Sequence, residues 1–141
     1  MVDHRPSARP ELVDGLVQLS FAVQSVLSDA ANAHDLSVQQ LRLLGVLRDR
    51  RPGMLELANH FAVDKSSMTG LVDRAERRGL VRRQAADHDK RSVQVSITPA
   101  GTALAAEVET VAYRRIAGLV ARLSRRDQAE LKRMVTQLAT P

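Results

Sequence analysis

The sequence predicts a mostly α-helical fold that carries one small β-wing, and three observations lead there. Apolar residues recur at spacings of three and four through most of the 141-residue chain. Only one stretch, SVQVSIT (Ser92–Thr98), alternates with a period of two for long enough to read as a half-buried strand. Aromatic residues make up just 2% of the chain, with Phe21, Phe61 and Tyr113 alone and no Trp, so the core must be built of Leu, Val and Ala. The length is that of one domain with a core of its own.

The first nine residues are polar and interrupted by proline, which predicts a loose tail. A helix starts at Pro10, whose missing N–H costs nothing in a first turn. Along it Leu12, Leu16, Leu19, Val23, Val26 and Ala30 follow alternating spacings of four and three, a coiled-coil-like seam. Asn32 to Asp35 breaks the pattern. Ser37 with Gln40 forms a capping box that opens a second helix, with Leu41, Leu44 and Leu47 on its inner side, and Arg50-Arg51-Pro52-Gly53 ends it.

The short segment MLELANHF predicts a third helix, with Leu55, Leu57, Ala58 and Phe61 apolar, and Ala62-Val63 a tight turn. Asp64 then caps a fourth helix on which Met68, Leu71, Val72 and Ala75 fall at i, i+3, i+4 and i+7, one buried stripe. Gly79 is placed to end it in the left-handed conformation. Leu80–Gln84 and Ser92–Thr98 are the two expected strands, with Val93, Val95 and Ile97 alternating against polar residues. Thr98-Pro99 starts a long helix predicted to reach Leu123, and Ser124 caps a last one with Leu131, Met134, Val135 and Leu138 on one face.

Charge narrows the function. The net charge is +5 and the pI about 10.6, beyond the basic threshold of about 9 that flags nucleic-acid binders. Placement matters more than the total: Arg74, Arg77, Arg78, Arg82, Arg83, Lys90 and Arg91 crowd one short region. The scarcity of aromatics argues against binders of RNA or single strands that rely on stacking platforms. The absence of cysteine removes disulfides, thiolate metal sites and thiol sensing. No apolar run approaches the ~20 residues needed to span a bilayer, and the N-terminus MVDHRPSARPE has no signal-peptide core, so a soluble cytoplasmic protein with no membrane partner is expected.

The segment DKSSMTGLVDR has the properties a DNA-reading helix requires: an apolar inner face, short polar side chains near its N-terminus for close approach, and basic residues towards its ends. Its N-terminal N–H groups and dipole also favour phosphate. A polar helix edge of this kind is in general merely solvated. Here it is followed at once by GLVRRQAADHDKRSVQVSITPAG, a glycine stop, an arginine-bearing strand, a charged loop and a second strand. Helix plus basic two-stranded wing is the layout of a winged helix-turn-helix.

In these residues the chain resembles the MarR family of bacterial transcription regulators. The resemblance covers roughly Leu36 to Leu104 by motif, including the family's D-x-R signature followed by Ser, here Asp89-Lys90-Arg91-Ser92. It implies a single domain over 1–141, with a winged helix-turn-helix DNA-binding lobe at 36–98 flanked by dimerisation helices at 10–33 and 99–139. The alternative for the outer helices is that they fold back on the chain's own core.

The resemblance also implies site residues. Ser66, Ser67 and Thr69 are expected to face the major groove, with Lys65 and Arg74 near phosphates or base edges. Arg91 is expected to enter the minor groove, where A·T-rich sequence deepens the negative potential. Asp89 would orient the Arg91 guanidinium, and Lys90 would add a phosphate contact. Gly70 stands where many relatives carry a larger side chain. Arg77, Arg78, Arg82 and Arg83 remain open between phosphate clamps and solvated residues.

The expected function is a sequence-specific regulator of double-stranded DNA. Family behaviour makes it a homodimeric repressor, released from a near-palindromic operator by a small phenolic or carboxylate effector. The alternative is a non-specific architectural DNA binder. For a carboxylate, Arg42, Arg48 or Arg114 is the candidate cation, though each reads more readily as a surface residue. His4, His34, His60 and His88 are too scattered to suggest a metal, and Met54 and Met68 give no positive sign of oxidation sensing. No P-loop, dinucleotide glycine pattern, G-x-S-x-G or H-E-x-x-H occurs, so neither an enzyme nor a cofactor is expected.

Overall fold

A computed structural model describes residues 9–139. Its elements run α1 (Pro10–Asn32), α2 (Val38–Leu47), α3 (Met54–Phe61), α4 (Lys65–Arg77), β1 (Val81–Ala85), β2 (Val93–Ile97), α5 (Pro99–Val120) and α6 (Arg125–Ala139). This is the mostly helical fold with one β-wing that the sequence predicts. The N-terminal tail, with His4, lies outside the described residues apart from Arg9.

The helix boundaries follow from local chemistry. Ser37 Oγ accepts from the Gln40 N–H at 3.1 Å and Gln40 Oε1 from the Ser37 N–H at 3.0 Å, completing the capping box of α2. Thr98 caps α5 through the Gly101 N–H, and Ser124 caps α6 through the Asp127 N–H. Between Val120 and Ser124 the chain turns, so α5 stops short of the expected Leu123. Each strand also falls one residue inside or beside its expected span.

The core gathers around α2, which packs against α1, α4, α5 and β2. Being surrounded, α2 buries Leu43 as well as the expected Leu41, Leu44 and Leu47. Met68, Leu71, Val72 and Ala75 form the expected buried stripe of α4. The wing departs from its sequence pattern at the far end. Val95 is fully buried and Ile97 half-buried, but Val93 is 46% exposed, because it pairs with Ala85 beyond the reach of the helices.

The outer helices are covered only in part. Ala30 and Ala31 of α1 are buried beneath α5, while Leu12, Leu16 and Leu19 at the other end stand exposed. No residue of α6 is buried, and Leu138 is 73% exposed. Ion pairs from Arg115 to Asp29 and from Arg48 to Glu109 tie α5 to α1 and to the end of α2.

One junction holds α4, the wing and α5 together. Gly79 adopts a φ of 70°, which ends α4 at the cost only glycine avoids. Leu80 then offers its carbonyl to the Thr98 N–H at 3.0 Å, and Gly79 offers its own to Thr98 Oγ1 at 2.6 Å. Gly101 packs directly on this turn: a Cβ there would overlap the Leu80 carbonyl oxygen and lie 2.9 Å from Ile97 Cγ1. We expect Gly101→Ala to destabilise the chain by about 1–3 kcal/mol, as overpacking against backbone does, measured by chemical denaturation. A wild-type midpoint in that variant would refute the close packing.

Candidate nucleic-acid interface

α3 and α4 form a helix-turn-helix around Ala62, which takes the left-handed conformation with φ 52°. Val63 N–H returns to the Ala58 carbonyl at 3.0 Å and closes the end of α3. Asp64 follows as N-cap of α4, accepting from the Ser67 N–H at 2.7 Å and from the Ser67 hydroxyl at 3.1 Å. The backbone bond first, then the hydroxyl, holds the Asp64 carboxyl below the ordinary aspartate value.

With the apolar stripe of α4 turned into the core, its other side shows the candidate residues. Lys65, Ser66, Ser67 and Arg74 are exposed and Thr69 is half-buried. Ser67 therefore has two tasks, since the hydroxyl expected to face a groove also donates to the cap. Gly70 has a use that the sequence did not reveal. A Cβ there would lie 3.3 Å from Arg74 Nη1, so the missing side chain leaves room for the Arg74 guanidinium to fold across the helix.

Asp89, Lys90 and Arg91 all sit exposed at the far end of the wing. Asp89 Oδ1 accepts from the Arg91 N–H at 3.0 Å and Oδ2 from the Ser92 hydroxyl at 3.2 Å. Asp89 thus shapes the loop through backbone and Ser92, and holds the Arg91 main chain rather than its guanidinium.

The less certain arginines separate clearly. Arg83 donates to Glu76 at 2.9 Å and to Asp73 at 2.6 Å, while its own N–H donates to Glu76 at 2.8 Å. Partial burial works against its charge, but the two carboxylates outweigh that and hold the guanidinium above its ordinary value. Arg78 donates to the carbonyls of His34 and Asp35 at 2.9 and 2.6 Å, pinning the end of α4 to the α1–α2 turn. Arg77 reaches only the Asp73 carbonyl, at 3.4 Å, and Arg82 is exposed on the wing. Asp73 and Glu76, which lock the wing to α4, were missed in the sequence. Their spacing of three, ahead of an arginine-bearing strand, was the available signal.

Residues 34–92, which hold this whole assembly, match the model of the MarR family. Over 110 residues the chain is 34% identical to the homoprotocatechuate degradative operon repressor of Escherichia coli, covering 74% of each. The chain belongs to the MarR family. Another relative, the HTH-type transcriptional repressor Rv2887 of Mycobacterium tuberculosis, is 30% identical over 127 residues, 89% of this chain and 91% of the relative. The structure of Rv2887 with p-aminosalicylic acid superposes with a TM-score of 0.74 at 27% identity, covering 94% of this chain and all of the other at 100%. A mutant MarR from E. coli solved with operator DNA shares the fold, with a TM-score of 0.74 at 21% identity over 92% and 94% of the two chains. The chain is accordingly a winged-helix transcription regulator of the MarR family, and its relatives are named as regulators and repressors rather than enzymes.

The Asp64 cap makes a pH prediction. A carboxyl depressed in the folded state contributes stability above its unfolded value, and that contribution disappears as pH falls through the folded one. The stability advantage of wild type over Asp64→Asn should therefore be greatest near neutrality and shrink on acidification through and below the ordinary carboxylate range. Denaturant titrations at stepped pH measure it, and a gap independent of pH would rule out the charged cap.

Proposed function

We propose that this MarR-family chain is a sequence-specific repressor that binds double-stranded DNA as a homodimer. One observation carries the reading. The basic groups on the outer edge of α4 and at the wing tip, Lys65, Arg74, Lys90 and Arg91, make no ion pair among the described residues. Arg78 and Arg83 behind them are engaged with the protein itself. A fold that engages its inner arginines and leaves an outward row of cations without an ion pair among the described residues is suited to a polyanion, and the pairing of helix with wing suits duplex DNA. The proposed roles are Ser66, Ser67 and Thr69 at base edges, Lys65 and Arg74 at phosphates or base edges, Lys90 at a phosphate, and Arg91 in the minor groove with its backbone set by Asp89.

The homodimer is supported by the apolar surface that the single chain leaves open. Leu12 and Leu16 on α1 and Met134, Val135 and Leu138 on α6 are exposed in the two helices that lie outside the DNA-binding lobe. A two-fold relation would bring two α4 helices to successive major grooves about 10 bp apart, on a near-palindromic site of roughly 15–20 bp. No described helix is long and apolar enough to cross a membrane, and cytoplasmic action is part of the proposal.

Release by a small carboxylate or phenolic effector is supported by a cavity of about 570 Å³ between α1, α2, α3 and α5. Leu27, Leu41 and Val46 give it apolar walls, with Arg42 and Tyr113 as polar groups. The Arg42 guanidinium lies 4.4 Å from the Phe61 ring centroid and donates to the His60 carbonyl at 3.3 Å, which fixes a cation at the cavity wall. Of the three arginines considered for an acid, Arg42 is the one that lines this space; Arg48 is paired with Glu109, and Arg114 lies elsewhere on α5. The Rv2887 complex with an aromatic acid is consistent with that chemistry.

Fluorescence anisotropy on the DNA upstream of the chain's own gene, against a shuffled duplex at near-physiological salt, tests the central reading. A preference of about a thousandfold, saturating at two chains per site, is expected; equal binding to every genomic fragment tried would favour the architectural alternative. In the same assay Arg91→Ala should weaken binding by about 1–3 kcal/mol without changing the dimer, and unchanged affinity would remove the wing from the interface. Leu16→Asp combined with Leu138→Asp alters exposed positions only and should give folded monomers by light scattering. A dimer of undiminished stability would place the seam elsewhere.

A further inference from the structure

A second, smaller cavity lies on the other side of the Arg48–Glu109 ion pair, at the base of the wing. It encloses about 300 Å³ and is lined by Arg48, Arg50, Arg51, Arg82, Asp49 and Ser96. Four arginines border it, one of them, Arg48, paired with Glu109, and Asp49 is the carboxylate in the lining, so the charge balance is positive. Guanidinium forks match the geometry of phosphate and carboxylate oxygens. Arginines alone would be only a solvated basic patch.

Ser96 makes it more than that. It is 5% exposed, and its hydroxyl is a buried side-chain polar atom with no hydrogen-bond partner among the described residues. Native folds rarely leave such a group unsatisfied, and an ordered water or a bound ion is the usual partner where protein atoms supply none. A serine hydroxyl can donate to an oxyanion at no cost in charge. Its placement is fixed by the wing, since Ser96 is the cross-strand partner of Arg82. Opposed residues in an antiparallel pair leave the same face, and both of these residues border the cavity. The segment carrying the other arginines is tied to that strand by the Val95 N–H, which donates to the Pro52 carbonyl at 2.9 Å.

We propose that this cavity is a binding site for a small phosphate-type oxyanion, held by Ser96, Arg82 and the Arg50–Arg51 segment. The ligand is a solute rather than the DNA backbone. Arg83 and Val95 leave the opposite face of the wing, where Arg83 meets Asp73 and Glu76 of α4. The Ser96–Arg82 face is therefore turned away from the helix that carries the candidate base contacts. An anion seated there would pin the wing base to the α2–α3 connection. The site is separate from the effector cavity proposed above, though Asp49 and Arg50 border both, and the proposal does not depend on that effector or on any operator.

The test is thermal denaturation of the full chain without DNA, in inorganic phosphate against chloride at matched ionic strength, followed by phosphorus NMR titration. Wild type should gain a saturable rise in Tm of about 4 °C at tenfold excess over Kd, with saturable broadening of the phosphate resonance. Ser96→Ala should fold at least as stably as wild type in chloride, having lost an unsatisfied hydroxyl, but should lose most of the phosphate response. Arg51→Gln should lose it too. No saturable rise in wild type, or a full response retained in both variants, would overturn the proposal. The salt dependence of duplex binding in phosphate-free buffer separates the two sources of phosphate. An Arg51→Gln slope equal to wild type supports a solute site, and a slope lower by about one unit would assign the cavity to the DNA backbone and reject the solute.

Discussion

The carbonyl of Leu80 is where the molecule's parts are fixed to one another. It accepts the Thr98 N–H, and beside it the Thr98 hydroxyl donates to Gly79 while accepting from the Gly101 N–H. Within these few residues the turn between α4 and β1, the cap residue that follows β2 and the first turn of α5 become one unit. Gly101 makes the unit tight, because its lack of a side chain lets α5 rest on the Leu80 backbone. The wing therefore cannot swing independently of α4, nor α4 independently of α5. Any geometry imposed on α5 by its surroundings reaches the DNA-binding lobe through backbone contacts rather than through flexible side chains.

Charge is divided along the same line. On the inner side, Arg83 is shared by Asp73 and Glu76, and Arg78 donates to two carbonyls of the α1–α2 turn. These bonds fix the angle between α4 and the wing, which sets how one rigid body presents two elements to a duplex. On the outer side Lys65, Arg74, Lys90 and Arg91 make no ion pair among the described residues. Gly70 belongs to this division as well, since it lets Arg74 lie across α4 instead of being pushed off by a neighbour. The basic cluster visible in the sequence thus contains two populations with different tasks.

Which features could be read in advance depended on range. The caps at Ser37, Asp64, Thr98 and Ser124 each need only three or four consecutive residues, and all of them form as their local patterns indicate. The stripe of α4 and the glycine stop at Gly79 are equally local. Features set by tertiary context were not legible. Leu43 is buried because α2 is enclosed on all sides, and Val93 is exposed because the wing outruns the core; neither fact is contained in the period of the strand or helix. The Arg83 clamp joins residues on either side of a turn, and Ser96 looks in the sequence like any polar residue of an alternating strand. The candidate contact residues of α4 and the wing tip are exposed, apart from the half-buried Thr69, and Asp89 holds the backbone of Arg91.

The arrangement of α2 indicates how ligand and DNA can be connected. Its inner face carries the core, its Arg42 side borders the larger cavity, and its C-terminal end meets both the smaller cavity and, through Arg48, Glu109 of α5. A ligand in the larger cavity would contact α1, α2 and α5 at once, and so act on the relation between the outer helices and the DNA-binding lobe. An anion in the smaller one, as proposed, would sit between the Arg50–Arg51 segment and Arg82 and act on the wing base. The Leu80 junction joins α4 to the wing and α5, so in the proposed homodimer a displacement of α5 would be carried to α4 and would change the spacing of the two α4 helices. DNA fixes that spacing at one helical turn, so a regulator built this way has to move very little to lose its site.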